Sequence, residues 1–170
     1  MTLTVGTDSY VTREEADAYA SLRSWTTWAA LTDPAKDAVL LDAASYLDLS
    51  YDWKGSIAST SQAMAWPRQG VVDHEGRTVD SASVPARVKN AQIELANIAV
   101  ANGGQLVTNQ TERDISRVQA GSVSVSFNGP AVVAEEDRFK SVDRLLYGLL
   151  DDRTRLDDES DNFYQIRSIG

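Results

Sequence analysis

The chain has 170 residues, of which 42% are hydrophobic and 24% are charged, and these proportions are typical of one folded domain. Its formal net charge of −9 disfavours indiscriminate coating of nucleic acids. With no cysteine and one histidine, the sequence excludes disulfides, thiolate nucleophiles, cysteine-containing zinc sites and multi-histidine metal cages. It offers neither a transmembrane segment nor a signal peptide, so we expect a soluble protein that is made and kept in the cytoplasm.

The first helix is predicted by a capping box. Thr12 takes the N-cap position and Glu15 the third helical position, so each side chain can satisfy the other residue's backbone N–H. We predict a helix over about 13–22. Trp25 and Trp28 follow it, and we expect these large aromatic side chains to fill the joint with the next helix rather than to form a ligand cage.

Proline marks the start of the two longest predicted helices. Asp33 before Pro34 predicts a helix over about 34–50, with an apolar face broad enough to be sandwiched between neighbours. Val84-Pro85 opens the most regular helix of the chain, and Asn102-Gly103-Gly104 terminates it.

The segment between these two helices is predicted to be mostly irregular. Asp52-Trp-Lys-Gly55 ends the earlier helical unit, and Gly55 is placed where a left-handed backbone after a helix is easily adopted. Ser59 and Gln62 form a second capping-box pattern, which predicts a short helix that ends before Trp66-Pro67. Residues 68–84 show little periodicity, and a loop of this length is usually functional or packed on itself.

A β-hairpin is predicted after the long helix, because the hydrophobic period changes there. Ser122–Phe127 alternates strictly between apolar and polar residues, and Ile115–Val118 precedes it across Gln-Ala-Gly. An isolated two-stranded hairpin is marginal in water. We therefore expect it to rest on the helices or to pair with another subunit.

The last helix is predicted over about 141–150, and residues 151–170 form a charged, sparsely apolar tail. The predicted fold is mainly α: a bundle of about four to five helices with a small β-hairpin near 114–127 and an extended C-terminal tail. Residues 1–150 form the helical domain.

No constellation of side chains predicts catalysis. His74 lies between Asp73 and Glu75, but no nucleophile is found at a recognisable spacing, so a surface histidine is preferred to a general base. Runs of adjacent acidic residues are typical of solvated surface, and no calcium-loop pattern is present. We expect no enzyme activity and no catalytic, cofactor or metal site.

One group of residues could form a nucleic-acid interface. Trp53 and Trp66 are candidates for base stacking, and five basic residues are candidates for phosphate contacts: Lys54, Arg68, Arg77, Arg87 and Lys89. Acidic residues are interspersed among them, and tryptophans beside turns more often anchor a loop to the core. Core anchoring is therefore favoured over base stacking.

Two segments around these tryptophans carry a family resemblance. Tyr51-Asp-Trp53-Lys-Gly55 is followed by Gln62-Ala-Met-Ala-Trp66-Pro67-Arg68-Gln-Gly70-Val-Val-Asp73, and Val84-Pro85 then opens an Ala-rich helix. Together with Ser9–Tyr19 and Trp28–Leu31, they resemble tailed-phage and prophage proteins labelled DnaT-like single-stranded-DNA-binding proteins. That family is similar in gene context and fold to head–tail connector (adaptor) proteins. The resemblance covers roughly residues 9–150.

The resemblance implies a structural protein of the virion neck. Such a connector forms a ring, usually of twelve copies, below the portal protein, and it also meets the next neck or tail-completion protein. Genome DNA passes through its lumen without tight binding, assembly takes place in the host cytoplasm, and no membrane is involved. In this interpretation six motif residues hold the loop geometry: Trp53, Gly55, Trp66, Pro67, Arg68 and Gly70.

Two further expectations follow from the resemblance. The C-terminal segment of such adaptors commonly docks on the portal, which makes Phe163, Tyr164, Ile166 and Ile169 the candidate docking residues, although a tail without a partner fits the sequence equally well. The alternative function is single-stranded-DNA binding, in which Trp53 and Trp66 are exposed and stack on bases while Lys54 contacts phosphate. Arg68 would then contact phosphate as well.

Overall fold

A computed structural model describes residues 3–104, 106 and 139–151, together with the backbone of 117–120 and 123–126. Within this part of the chain the elements are α1 (Arg13–Leu22), α2 (Thr26–Ala29), α3 (Asp33–Ser50), β1 (Ser56–Ile57), β2 (Arg68–Gln69), α4 (Ala86–Ala101), β3 (Arg117–Ala120), β4 (Val123–Ser126) and α5 (Lys140–Leu146). The prediction of a mainly α fold with a small β-hairpin is confirmed.

Helix α1 begins and ends where its sequence pattern predicts. The Thr12 hydroxyl accepts a hydrogen bond of 3.1 Å from the Glu15 amide, and the Glu15 carboxylate accepts one of 2.8 Å from the Thr12 amide. Two of the four unpaired N–H groups at the helix start are thereby satisfied. The predicted capping box is confirmed.

Helices α3 and α4 pack along the centre of the core, and a buried glutamine joins them. The Gln92 amide nitrogen donates to the Leu40 carbonyl of α3 at 2.8 Å and to the Ser9 hydroxyl at 2.7 Å. Its side-chain oxygen accepts from the Tyr10 amide at 2.9 Å. Because every polar atom of this fully buried side chain is paired, Gln92 fixes the N-terminal segment on both helices.

The joint between α1 and α3 contains a short helix, α2, where the sequence predicts only a connection. Trp28 of α2 is buried, and its indole N–H donates to the Asp17 carboxylate at 2.7 Å. The Lys36 ammonium donates to the same carboxylate oxygen at 2.8 Å. Asp17 thus links three helices, and Trp28 fills the joint as expected, while Trp25 is partly buried.

The short helix predicted from Ser59 is wrong, because this segment forms turns. The Gln62 side chain accepts from the Ser59 amide at 2.9 Å and donates to the carbonyls of Met64 at 2.7 Å and Pro67 at 3.0 Å. One side chain therefore satisfies three backbone groups, which removes the need for helical hydrogen bonds.

A small two-stranded sheet, which the sequence does not predict, brackets that segment. Strands β1 and β2 pair antiparallel. Gly55 precedes β1 with φ +70°, and a Cβ there would lie 2.3 Å from the Gln69 carbonyl oxygen. The left-handed backbone predicted for Gly55 is confirmed. Because α3 already ends at Ser50, this glycine does not cap the helix directly; it permits the close approach of the two strands.

The predicted hairpin is present, with its strands shifted along the chain. Strands β3 and β4 pair antiparallel with Ala120 opposite Val123, so two residues separate them. A two-residue connection suits the twist of paired strands better than the three-residue connection predicted from Gln-Ala-Gly.

Helix α5 ends earlier than predicted. It stops at Leu146 rather than near residue 150, because Gly148 adopts φ +86° and Leu150 forms a β-bridge with Trp53. None of the described helices is long and apolar enough to cross a bilayer. The predicted tail beyond Asp151 lies outside the described residues, and so do its four candidate docking residues: Phe163, Tyr164, Ile166 and Ile169.

Candidate functional site

The two tryptophans of the motif are buried against each other. Trp53 is 8% exposed and Trp66 is 1% exposed. Their rings meet edge to face, with centroids 5.6 Å apart and an interplanar angle of 88°. Neither ring is open to a base, so the hypothesis that they stack on single-stranded DNA is wrong.

The Arg68 guanidinium is directed at backbone carbonyls of the motif loop rather than at solvent. It donates to the carbonyl oxygens of Lys54 and Gly55 at 2.8 Å each, and to those of Trp53 and Ala65 at 3.3 Å each. Its planar fork of donors suits several acceptors at once. The predicted phosphate contact of Arg68 is therefore replaced by a structural role.

A polar clamp holds the other side of the motif loop. The Asp48 carboxylate accepts from the Ala65 amide at 3.0 Å, and the Tyr10 hydroxyl accepts from the Trp66 amide at 3.3 Å. The Tyr10 hydroxyl in turn donates to Asp48. Burial raises the pKa of both side chains, so the tyrosine remains a donor at neutral pH. The peptide bond that follows, Trp66-Pro67, is cis.

A cleft of about 860 Å³ opens between α5 and the loops that carry Lys54 and His74. Its volume falls within the range of about 300–1,000 Å³ typical of ligand pockets. We call it the α5 cleft. Its lining is formed by Tyr51, Lys54, His74, Lys140, Asp143, Arg144, Tyr147, Gly148, Leu150 and Asp151.

Backbone contacts join the walls of the α5 cleft. The Lys54 amide donates to the Leu149 carbonyl at 3.0 Å, and the Asp151 amide donates to the Asp52 carbonyl at 2.8 Å. These bonds flank the bridge formed by Trp53. The strand-like pairing fixes the end of α5 against the loop that follows α3, so the cleft is part of the folded framework.

Aromatic side chains form one side of the cleft. Tyr147 is 53% exposed as a residue, and its ring centroid lies 5.3 Å from that of His74 at an interplanar angle of 52°. Elsewhere in the cleft lining, the Tyr51 hydroxyl donates to the exposed Asp143 carboxylate at 2.8 Å. Burial and this hydrogen bond raise the pKa of Tyr51 above its ordinary value.

Three cations line the same cleft as Tyr147. Lys54 reaches the Gly148 carbonyl with its ammonium at 3.2 Å, and Lys140 and Arg144 are exposed along α5. Among the described residues, the cleft lining contains these three cations and two carboxylates. On a chain whose net charge is −9, this is a local excess of positive charge.

The remaining basic residues predicted to contact phosphate have other neighbours. Arg77 pairs with two carboxylates of its own loop, at 3.0 Å and 2.7 Å. Lys89 pairs with Glu15 at 2.9 Å. Arg87 lies beside the cleft, with its guanidinium 3.5 Å from the Tyr147 carbonyl oxygen. Of the five predicted basic residues, Lys54 and Arg87 are thus the two placed at the cleft.

Most of the cleft was missed by sequence reasoning, although one signal was available. Lys140, Arg144 and Tyr147 follow the spacing i, i+4, i+7, which places them on one face of a helix. That face is opposite the buried Val142 and Leu146. Tertiary packing brings this helix face next to Lys54 and His74, and no local sequence pattern predicts that packing.

The fold and the cleft define a small helical protein with a basic, aromatic surface site. Over residues 2–167 the sequence matches the family described as "Putative DnaT-like ssDNA binding protein", and the chain belongs to that family. No curated protein and no solved structure was found to match it. The family resemblance is thereby confirmed, whereas the similarity to head–tail connectors stays a prediction.

Proposed function

We propose that the chain binds single-stranded DNA in the α5 cleft. The observation that carries the proposal is the exposed Tyr147, whose ring packs on His74 in a cleft that Lys140 and Arg144 also line. The name of the family supports the same ligand class. This interface replaces the buried tryptophans as the surface that meets bases.

The chemistry of the cleft suits a single strand better than a duplex. An exposed ring can stack on an unpaired base, while nearby ammonium and guanidinium groups contact the phosphates on either side. Inside a duplex the faces of the bases are already stacked and are not open to Tyr147. We therefore expect a single-stranded oligonucleotide to bind more tightly than a duplex of the same length.

Binding is expected to be strongly dependent on salt. The chain as a whole repels phosphate, and attraction comes from the few cations around the cleft. For single strands, each neutralised phosphate contributes about −0.7 to the slope of log K against log salt concentration. By the same relation, a slope of about −2 corresponds to contacts from three cations.

The test is a titration of a fluorescent single-stranded oligonucleotide, read by anisotropy at several salt concentrations. Arg144→Gln removes a cation of the cleft, and Arg23→Gln is the matched control on the C-cap of α1, outside the cleft. We expect Arg144→Gln to weaken binding several-fold and to reduce the salt slope by about 0.7. Equal affinities of the two variants, or no binding by the wild type, would contradict the proposal.

A structural role in a phage neck is the second candidate. It is favoured by the use of Trp53, Trp66 and Arg68 inside the fold, where these three motif residues hold the loop rather than face a ligand. In this role the chain forms a ring, contacts the portal protein and the next neck or tail-completion protein, and surrounds DNA without binding it tightly. Neither candidate requires catalysis.

Light scattering separates the two candidates when it is run on the protein alone and with its portal protein. Ring-sized assemblies that do not bind an oligonucleotide at physiological salt would favour the connector. A monomer or dimer that binds single-stranded DNA and forms no complex with the portal protein would favour the α5 cleft as a DNA site.

A further inference from the structure

Asp143 has hydrogen-bond acceptor capacity to offer a ligand inside the α5 cleft. Its Oδ1 atom accepts the Tyr51 hydroxyl at 2.8 Å. An ionised carboxylate has about four acceptor positions on its two oxygens, so the bond from Tyr51 occupies only a part of them. The Asp143 side chain can therefore accept a further hydrogen bond from a bound donor.

Tyr51 holds this carboxylate in a fixed position. The Tyr51 ring packs against Trp53, with centroids 6.0 Å apart, and against Tyr46, at 6.4 Å. Asp143 itself is a short side chain on α5, with few torsions to order. A polar group that is already oriented discriminates between ligands better than a flexible one does, because little ordering is left for binding to complete.

We infer that Asp143 is a specificity-determining residue, which makes the cleft prefer bases with an exocyclic amino group. This inference rests on the proposed function. Cytosine presents its N4 amino group as a donor, whereas uracil and thymine present an O4 acceptor at the same position. A carboxylate that faces the 4-position of the base accepts from the amino group and repels the carbonyl oxygen, so with this placement oligo(dC) binds more tightly than oligo(dU) or oligo(dT).

The cations of the cleft do not reverse this preference. Lys54 is hydrogen-bonded to the Gly148 carbonyl, and Lys140 and Arg144 are long, exposed side chains. Such side chains contact phosphates, which all oligonucleotides of one length present equally. The charged groups therefore set the affinity, and the carboxylate sets the choice of base.

The test compares oligo(dC) with oligo(dU) of equal length by anisotropy, at mildly alkaline pH so that cytosine stays unprotonated. Uracil lacks the thymine methyl group, so the two ligands differ at the pairing edge alone. For the wild type we expect about fivefold tighter binding of oligo(dC), the lower end of discrimination by a base-edge contact. Asp143→Asn, which presents both a donor and an acceptor, should bring the ratio close to one and strengthen oligo(dU) binding.

Tyr51→Phe is the second variant. It keeps the aromatic packing and removes the hydrogen bond to Asp143, so the ratio of oligo(dC) to oligo(dU) affinity should fall toward one. A wild-type ratio of one would overturn the inference and leave the proposed function intact. An unchanged preference in Asp143→Asn would overturn the assignment to Asp143, and failure of both oligonucleotides to bind would overturn the proposed function itself.

Discussion

Gly148 and His74 approach each other so closely that only glycine fits at position 148. A Cβ placed there would lie 2.8 Å from the His74 amide nitrogen and 2.9 Å from its Cβ. Gly148 also adopts φ +86°, which side chains rarely tolerate. One residue thus ends α5 and permits its contact with the loop that carries His74.

Gly148→Ala is expected to destabilise the protein more than an otherwise similar change. Gly76→Ala is the matched control, since Gly76 has φ +79° but a Cβ added there would meet no atom within 4 Å. The control should lower the free energy of unfolding by about 1–2 kcal/mol through backbone strain alone. Gly148→Ala adds a steric clash and should cost about 3 kcal/mol in total, measured by chemical denaturation. Equal losses of unfolding free energy in the two variants would show that the loops around Gly148 shift to accommodate the added methyl group without further destabilisation.

Arg68→Lys should destabilise the motif loop although it conserves the charge. Lysine offers a single ammonium in place of the fork that reaches four carbonyls, so about 2 kcal/mol of unfolding free energy should be lost. Affinity of the folded variant for an oligonucleotide should equal that of the wild type. A variant of unchanged stability with weaker DNA binding would instead assign Arg68 to the interface.

Elements specified by neighbouring residues were the ones that the sequence predicted well. The bounds of α1 follow from the reciprocal bonds of Thr12 and Glu15, which need no tertiary partner. The same kind of pattern at Ser59 and Gln62 does not form a helix. The Gln62 side chain instead hydrogen-bonds to backbone groups of the tight loop that ends at Pro67. A capping box specifies a helix only when the following residues are free to continue it.

The α5 cleft could not be predicted from the sequence for a related reason. Its cations come from two regions that are far apart in the chain, and Lys54 faces Lys140 and Arg144 only because the two walls pair through backbone atoms. Backbone hydrogen bonds leave no signature in residue type. Trp53 and Trp66, by contrast, were candidates for base stacking because of their residue type alone, and both are buried.

The tryptophan emission should be insensitive to DNA once Trp25 is removed. Trp28, Trp53 and Trp66 are each at most 8% exposed, whereas Trp25 is only partly buried. The emission of Trp25→Phe should therefore be shielded from iodide, and saturation with an oligonucleotide, verified by anisotropy, should leave its intensity unchanged. Strong quenching by DNA in this variant would place a buried tryptophan at the interface.

Asp17→Asn should reduce stability at neutral pH and flatten its decline in acid. Burial opposes ionisation of Asp17, but hydrogen bonds from Lys36 and Trp28 outweigh it and hold the pKa of the carboxyl below its ordinary value. The stabilisation is therefore present above the unfolded-state pKa of about 3.9 and is lost as pH falls through the lower folded-state value.

Because Asp17 is 41% exposed, the expected loss is about 1–2 kcal/mol rather than the larger cost of a fully buried pair. Asp42→Asn, on the exposed face of α3, is the charge-matched control and should change the unfolding free energy little. The difference between the two variants should shrink as pH is lowered in urea titrations. A difference that is constant with pH would mean that the charge of Asp17 is not what stabilises the joint.

The bridge between Trp53 and Leu150 connects positions that are far apart in the chain. During synthesis, α1, α3 and most of the motif loop leave the ribosome long before α5 does, and contacts of such separation form late. The nascent chain therefore has no α5 cleft until residue 151 has been added. Any activity that depends on the cleft begins only after synthesis has passed residue 151, so shorter nascent chains lack that activity.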